Sequence, residues 1–401
     1  MAAALNLAER GIPCTIVEKS PTIGGMALDL GCKGARECVG CDVCLSTDRV
    51  SDIVQSELVR VFTKTEVTRL SGGPGAFRVS LRTNPGHVRE DACVACGACH
   101  DACPVEGGAI GPIRPDGAPK TYSVDASRCL ALNGVECTRC RDACPTDAID
   151  FNLRQVTRKL VFGAIIVAAG FEPFDASRDK RLGYGVCPDV ITAVEAERCI
   201  RSSGRLEVPS TGKVPGSVAV IQCVGSRNDI LGASYCSKVC CKYALKLSRL
   251  VKTQQPSTSI SFFFMDWRPQ DFVRNELEDW RSEQSGVSIV RSRPAEIMSS
   301  DTGRPVVRFS DPAGDCVRDE EFDLVVLSVG MRPPNDAAGL ASLLHIDLTD
   351  QGFLMDRSGA AESPQGVFVA GSCSGPMDIE ESAMDGAAAA AKVSAFLGGL
   401  R

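Results

Sequence analysis

Short β-branched apolar runs alternate along the chain with segments of helical period. The first stretch, "AAALNLAERGIPCTIVEKS", reads as a helix end, a glycine turn, a strand and an acidic residue at the strand's end, the second half of a βαβ unit. That helix enters in mid-pattern with no N-cap before its apolar residues. The first strand and G-x-G-x-x-G turn are therefore expected before residue 1, with a misassigned start favoured over a truncation. Residues 52–82 predict a helix and two strands joined by the hairpin signal "SGGPGA". "KLVFGAIIVAAGFEPFD" predicts a buried strand ending in a small-residue turn, and "FDLVVLSVGMRPPND" repeats that form at 322–336. Between them "GSVAVIQCVGSR" predicts a strand and turn, then a helix from about Tyr235 and the strand "SISFFFMD". "GVFVAGSCSGPMDIEESAMDGAAAAAKVSAFL" closes the chain as strand, glycine turn and Ala-rich helix. The expected fold class is α/β.

The 401 residues, 44% hydrophobic, suffice for two or three domains with their own cores. A net charge of −6, without a basic cluster carrying interleaved aromatics, argues against nucleic acid or an anionic membrane surface as the main partner. No apolar run reaches the roughly 20 residues that cross a bilayer, and the start lacks a basic n-region. A cytoplasmic protein without a membrane span is expected.

Cysteine changes the picture. There are 21, and sixteen fall in four clusters at 32–44, 93–103, 129–144 and 223–241. Such grouping without a secretion signal indicates metal ligation rather than disulfides. Cys14, Cys187, Cys199, Cys316 and Cys373 stand alone and read as small buried hydrophobes. "CVACGACHDACP" fits C-x2-C-x2-C-x3-C-P, the bacterial ferredoxin run, and "CLALNGVECTRCRDACP" is a variant with seven residues between its first two cysteines. In a two-cluster ferredoxin the last Cys of each run ligates the other run's cluster. One 4Fe-4S cluster is thus assigned to Cys93, Cys96, Cys99 and Cys144, the other to Cys129, Cys137, Cys140 and Cys103. Zinc knuckles are the bland alternative, but structural zinc does not need paired runs ending in Cys-Pro.

The third set interrupts the second strand-turn-helix unit. Where glycines would let a dinucleotide's pyrophosphate approach, the turn reads "QCVGSR", and the Gln222 and Cys223 side chains obstruct that approach. A nicotinamide site is not expected here. Cys223, Cys236, Cys240 and Cys241, spaced C-x12-C-x3-C-C, can converge if the last three share about one helical turn and Cys223 comes across from the strand end. Buried core thiols and a redox disulfide are the alternatives, the latter strained at the vicinal pair. Cys32, Cys38, Cys41 and Cys44, spaced C-x5-C-x2-C-x2-C, are compatible with a fourth iron–sulfur cluster, with zinc, or with ligation by only some of them. The histidines, His87, His100 and His345, lie in no catalytic motif, and no catalytic acid, base or nucleophile is assigned.

With these residues the chain resembles the A-type subunit of heterodisulfide reductase, the iron–sulfur flavoprotein of methanogens and bacterial relatives. The likeness rests on "VEKSPTIGG", the inserted ferredoxin runs, "GAIIVAAGFEPFD", "YGVCPDVIT", "CVGSR" with "YCSKVCCKYALK", "FFFMDWR" and "AGSCSGPMDIEESAMDGAAAAAK". It also takes in the A-type subunit of the quinone-interacting membrane-bound oxidoreductase and the flavoprotein subunit of class II benzoyl-CoA reductase. The separate N-terminal and C-terminal iron–sulfur domains of the longest forms are absent from this sequence, which resembles a compact member.

The resemblance implies a thioredoxin-reductase-like flavoprotein with two dinucleotide-type domains and an inserted two-cluster ferredoxin domain. It implies FAD, with Glu18 and Lys19 at the ribose, Gly24, Gly25 and Met26 after them, and the turns Ala169–Gly170 and Gly371–Ser372. Gly375, Pro376, Asp378 and Ile379 then lie beside the isoalloxazine, and Ser372 stands where other flavoproteins carry Asp. It further implies one 4Fe-4S cluster outside the ferredoxin pattern, held by Cys223, Cys236, Cys240 and Cys241 close to the flavin. The division expected is 1–82, 156–212 and 336–401 for the FAD-binding domain, 83–155 for the ferredoxin insert and 213–335 for the second Rossmann-like domain.

The function implied is electron transfer in a heterodisulfide-reductase-like complex, converting two-electron flavin chemistry to one-electron cluster transfer, in some members by electron bifurcation. Expected partners are other subunits of the complex, ferredoxin, hydrogenase- or dehydrogenase-type donors, and a second copy of the chain. Membrane association through partner subunits is compatible with this. A stand-alone NAD(P)H-dependent iron–sulfur flavoprotein reductase and a redox-sensing cluster protein are the competing readings.

Overall fold

The computed structural model describes residues 1–31, 38, 41, 43–113, 121–268, 279–280, 285–311, 314, 316–355 and 366–400. Cys32 lies outside them. The largest sheet has five parallel strands in the order Val190–Thr192, Leu324–Val329, Ser217–Val224, Ser259–Phe263, Val287–Val290. Its strand Leu324–Val329 is buried at every position. Near-continuous apolar strands of this kind belong to a sheet covered on both faces. On one face Val218, Val220, Leu324 and Val326 pack with Ala244, Leu245 and Leu247 of the helix Val239–Gln254 and with Ile200 of the helix Ala193–Ser203. On the other, Ala219, Ile221, Val325 and Leu327 meet Phe174, Phe309 and Phe322.

The strand Val190–Thr192, placed from sequence in the 156–212 segment of the FAD-binding domain, is hydrogen-bonded into this five-stranded sheet. Three buried residues are too few for a strand pattern to register. An antiparallel meander, Glu296–Ser299, Pro305–Asp311 and Cys316–Glu321, adds three strands that the hydrophobic pattern did not announce. Cys316 is exposed on its edge strand, contrary to the expectation that the lone cysteines are buried.

The remaining domain brings together distant pieces. Cys14–Val17 pairs in parallel with Val59–Phe62, and Ile165–Val167 with Val367–Val369. Thr65–Ser71, Phe77–Thr83 and Val156–Phe162 form an antiparallel meander whose residues share a core with Val17, Val167 and Val367. Residues 52–82 thus hold one more strand than expected, and their helix, Val43–Gln55, begins inside the first cysteine group. The last helix, Ile379–Gly399, crosses Ala2–Glu9 at Gly386, where an added Cβ would lie 3.3 Å from the Ala3 nitrogen.

Two crossings join the domains: Glu172–Pro173 runs antiparallel to Met331–Arg332. The cysteine-rich insert is closed at its base by the Val88–Ile149 bridge and carries the hairpin Ile110–Ile113/Thr121–Val124 and the short helices Ala98–Asp101 and Arg139–Asp142. Among the described residues no helix is long and apolar enough to cross a membrane.

Candidate functional site

The insert has little apolar core of its own, and its thiols lie at the centre of what there is. Cys99, Cys129 and Cys140 are buried among Val88, Ile110, Tyr122, Val124 and Ile149. Two cavities open in that core. One is lined by Cys93, Cys96, Cys99 and Cys144, the other by Cys103, Cys129, Cys137 and Cys140. The last cysteine of each run therefore stands with the first three of the other, as cross-ligation requires.

Tight backbone makes this possible: Ala95 between the first two thiols takes φ +53°, and Asp147 after Cys144 takes φ +49°. The Ala109 and Ala148 N–H groups donate to Cys103 Sγ and Cys144 Sγ, each at 3.2 Å, as suits thiolate ligands. Burial pushes the Cys99 thiol up to about 11, and the neighbouring Cys93, Cys140 and Cys144 add to it. Thiols so arranged resist joint ionisation unless a cationic centre compensates them. Among the described residues no three Cys, His, Asp or Glu side chains meet tightly enough to share a single ion. Four thiols standing off around a cavity suit a body of several atoms better than zinc, whose sulfurs lie about 2.3 Å from one point. His100 Nδ1 is hydrogen-bonded to the Ile110 carbonyl at 2.6 Å, a structural role.

The third thiol set forms where the strand Ser217–Val224 breaks register against Leu324–Val329, between Ile221 and Val224. This bulge gives Cys223 φ +60°. The loop that follows is clamped by the Arg227 N–H to the Tyr235 carbonyl (2.9 Å) and by a Ser226–Ser237 hydroxyl pair (2.6 Å). Ser237 Oγ also accepts from the Met331 N–H at 2.8 Å, tying the loop to the interdomain crossing. Gly225 is required, since a Cβ there would lie 2.0 Å from Phe174 Cγ.

The helix starts at Val239, not near Tyr235, because Lys238 at φ +61° cannot continue a right-handed turn. Cys236 consequently sits in the loop, and its sulfur accepts the Lys238 N–H at 3.3 Å. Cys240 and Cys241 occupy the helix's first turn and are buried in one cluster with Cys223, and Cys236 is near enough to act on Cys240 electrostatically. The four thiols converge although only two share the helix. Cys240 pushes the Cys223 thiol upward, with burial adding to it. Beside them, Gln222 Oε1 and Nε2 and, on the neighbouring strand, Ser328 Oγ are buried with no partner in the protein. Such orphaned polar atoms beside a thiol set fit a bound polar group.

The turns expected to hold FAD lie at strand ends of the first domain. Glu18 follows Cys14–Val17 and accepts the Ser20 N–H at 2.7 Å, while Lys19 pairs with Asp336 at 3.2 Å. Gly24 and Gly25, both at positive φ, precede Met26 in the short helix Met26–Asp29. Ala169–Gly170 and Gly371–Ser372 both neighbour the Cys373 backbone and side chain, and the Asp385 carboxylate holds the Gly371 N–H at 2.7 Å. At Gly25, Gly170 and Gly375 an added Cβ would meet nothing within 4 Å, so each backbone borders open space into which a ligand can come close.

Pro376 leads into Asp378, which caps the last helix: Asp378 Oδ1 accepts the Glu381 N–H at 2.8 Å, and Glu381 Oε2 accepts the Asp378 N–H at 3.1 Å. Ile379 is the first helical residue. Asp378 Oδ2 also accepts from Lys242 at 2.9 Å, and Lys238 lies 3.7 Å from Glu381. The helix bearing Cys240 and Cys241 is thereby fastened to the segment expected beside the flavin.

Residues 92–148 match the 4Fe-4S dicluster domain family. The A-type subunit of the ferredoxin/F420H2-dependent CoB-CoM heterodisulfide reductase of Methanosarcina acetivorans is 39% identical over 417 residues, covering 99% of this chain and 52% of that protein. Nearly the whole chain is similar to part of this heterodisulfide reductase subunit. The second iron–sulfur A-type subunit of the CoB–CoM heterodisulfide reductase of Methanopyrus kandleri is 36% identical, over 98% of this chain and 62% of that protein. Its counterpart in the H2:CoB-CoM heterodisulfide,ferredoxin reductase of Methanothermobacter marburgensis is 31% identical, over 98% and 61%. The chain thus spans about half to three fifths of these heterodisulfide reductase proteins. Lactococcus lactis thioredoxin reductase, 14% identical, superposes with a TM-score of 0.52 over 99% of this chain and 95% of that one, which establishes the thioredoxin-reductase-like fold.

Of the fourth cysteine set, Cys38 and Cys44 are exposed and Cys41 half-buried, with Cys44 on the helix Val43–Gln55. With Cys32 outside the described residues, the four are not seen together. Three residues that matter here escaped the sequence. Arg227 pairs with Asp266, 39 positions on, Lys242 with Asp378, 136 on, and Asp385 holds a turn 14 residues back. All three stand inside quoted motifs, but nothing local names the partner of any of them.

Proposed function

We propose that the chain is the electron-transferring core of a heterodisulfide-reductase-like oxidoreductase complex, with FAD and three 4Fe-4S clusters. The observation that carries this is the fastening of the third thiol set to the flavin-side segment by Lys242 and Asp378. Glu18, Lys19, Gly24, Gly25, Met26 and the turns Ala169–Gly170 and Gly371–Ser372 would hold FAD, with Gly375, Pro376, Asp378 and Ile379 at its reactive ring. Cys93, Cys96, Cys99 and Cys144 would hold one cluster; Cys103, Cys129, Cys137 and Cys140 another; Cys223, Cys236, Cys240 and Cys241 the third. When bound, the flavin supplies two-electron and the clusters one-electron chemistry.

The chain's own part is to fix these sites close together and to exclude water from them. Cys223, Cys240 and Cys241 are at most 3% exposed, so a centre there is shielded from solvent on the protein side. Partner subunits would supply the donor and terminal acceptor, ferredoxin and hydrogen- or coenzyme-linked donors being those that the relatives' names suggest. Bifurcation is the finer form of the reading: reduction of a low-potential acceptor would then require simultaneous reduction of a high-potential one.

The competing NAD(P)H reductase is disfavoured by the bulge at Gln222–Cys223, which fills the place of a dinucleotide's glycine turn. The test is anaerobic purification followed by acceptor assays with a reduced viologen. Exchange of electrons between viologen and bound flavin without NADPH oxidation supports the proposal. Steady NADPH oxidation by the isolated chain overturns it.

A further inference from the structure

The bulge that brings Cys223 to the thiol set also brings two polar side chains to the same face of the sheet. Ile221 stands opposite Leu327 and Val224 opposite Val329, so Gln222 and Cys223 together face the single residue Ser328 on the neighbouring strand. Ile221, Val224, Leu327 and Val329 all belong to the core on the far side of the sheet. Side chains alternate along a strand, so Ser328, Gln222 and Cys223, each next to a far-side residue, share the near side. That near side is the thiol side, since Cys223, Cys240 and Cys241 lie in its core. Two residues beyond Ser328, a Cβ at Gly330 would lie 2.0 Å from Ser226 Oγ and 2.6 Å from Ser237 Oγ, so the loop carrying Cys236 roofs this strand end.

Gln222 is 5% exposed and Ser328 0%, and among the described residues Gln222 Nε2 and Ser328 Oγ have no hydrogen-bond partner. Buried donors are satisfied by whatever fills the space they border, and here that space is bounded by thiols. We propose that Gln222 and Ser328 donate hydrogen bonds to the sulfur of the centre held by Cys223, Cys236, Cys240 and Cys241, and thereby raise its reduction potential. The inference rests on reading those four thiols as cluster ligands. A four-thiolate centre is anionic and one more electron adds charge to its sulfurs, so donors fixed against them hold the reduced form more tightly. The couple takes up one electron and releases one; no covalent bond forms or breaks, and neither side chain ionises.

The test uses the whole chain, assembled anaerobically, with iron per chain and an EPR-monitored redox titration against dithionite as readouts. Ser328→Ala and Gln222→Leu each remove one donor without adding a polar group. Each is expected to keep the wild-type iron content and to lower the reduction equilibrium of this centre about threefold, and the double variant about tenfold, or about 59 mV for a one-electron couple. The two ferredoxin-type midpoints should stay in place. An unchanged or raised midpoint in the iron-replete double variant overturns the proposal and assigns the two donors to buried water, and a shift common to all three midpoints overturns it as well. Ser328→Ala, which only takes a hydroxyl away, decides in the same way alone if the Gln222 variants do not assemble. If instead Cys236→Ser loses no iron, the ligand reading itself fails, and the two failures are told apart.

Discussion

Asp378 does two things at once, and its two oxygens allow them to be separated. Oδ1 caps the last helix by accepting the Glu381 N–H at 2.8 Å, and Oδ2 takes Lys242 at 2.9 Å from the thiol-bearing helix. Asp378→Asn keeps a good N-cap while deleting the charge; Asp378→Ala deletes both. With the paired side chains 30% and 26% exposed, the ion pair lies between a surface pair and a buried one, and its loss should cost about 1–2 kcal/mol. Loss of the cap adds about 1 kcal/mol.

Hydrogen exchange at the first-turn amides reads this locally, without assuming that a multidomain chain unfolds in one step. Exchange at Glu381 and Ser382 should accelerate about 5- to 30-fold in Asn, and about a further 5-fold in Ala. A Lys242→Met, Asp378→Asn double-mutant cycle should return a coupling of about 1 kcal/mol or more.

The pH dependence has a definite sign. Burial pushes the Asp378 carboxyl up, but the Glu381 N–H together with Lys242 and Lys246 outweigh it and hold it below its ordinary value. Its contribution is therefore complete above the unfolded-state value of about 3.9 and disappears as pH falls through the lower folded value. Asn exchanging like wild type at about pH 7, while Ala exchanges faster, would refute the ion-pair argument and leave only the cap.

Cys103→Ser should remove about four irons and one cluster signal while leaving the set at Cys93, Cys96, Cys99 and Cys144 intact, which metal analysis with EPR checks; loss confined to its own run's set would refute the crossed assignment. Gly225→Ala places a Cβ 2.0 Å from Phe174 Cγ at φ +73°, so expression and thermal melting should report a loss of about 2–4 kcal/mol.

How much of this could be read from sequence depended on range. The ferredoxin runs were legible because the pattern is a local spacing, and the crossed placement of Cys103 and Cys144 beside the other run's thiols is what that spacing leads one to expect. Ser217–Val224 and Leu324–Val329 were legible because strands buried on both faces are continuously apolar. The start of the thiol helix was misjudged since its boundary is set by a left-handed Lys238 and an N–H bond to Cys236, not by any side-chain pattern. The edge strand "CVRDEE" gave no signal because every residue on it is exposed. The contacts Lys242–Asp378 and Arg227–Asp266 are products of the tertiary fold, and no local rule announces them.

Whether Cys223, Cys236, Cys240 and Cys241 hold a cluster in addition to the two proposed for the ferredoxin-type insert is decided by iron and acid-labile sulfide per chain, measured on anaerobically prepared wild type and Cys236→Ser. About twelve irons are expected, or about sixteen if the Cys32–Cys44 set is also filled, with a loss of about four in the variant. About eight irons in both proteins, with the thiols of this set free to alkylating reagent, would rule the third cluster out.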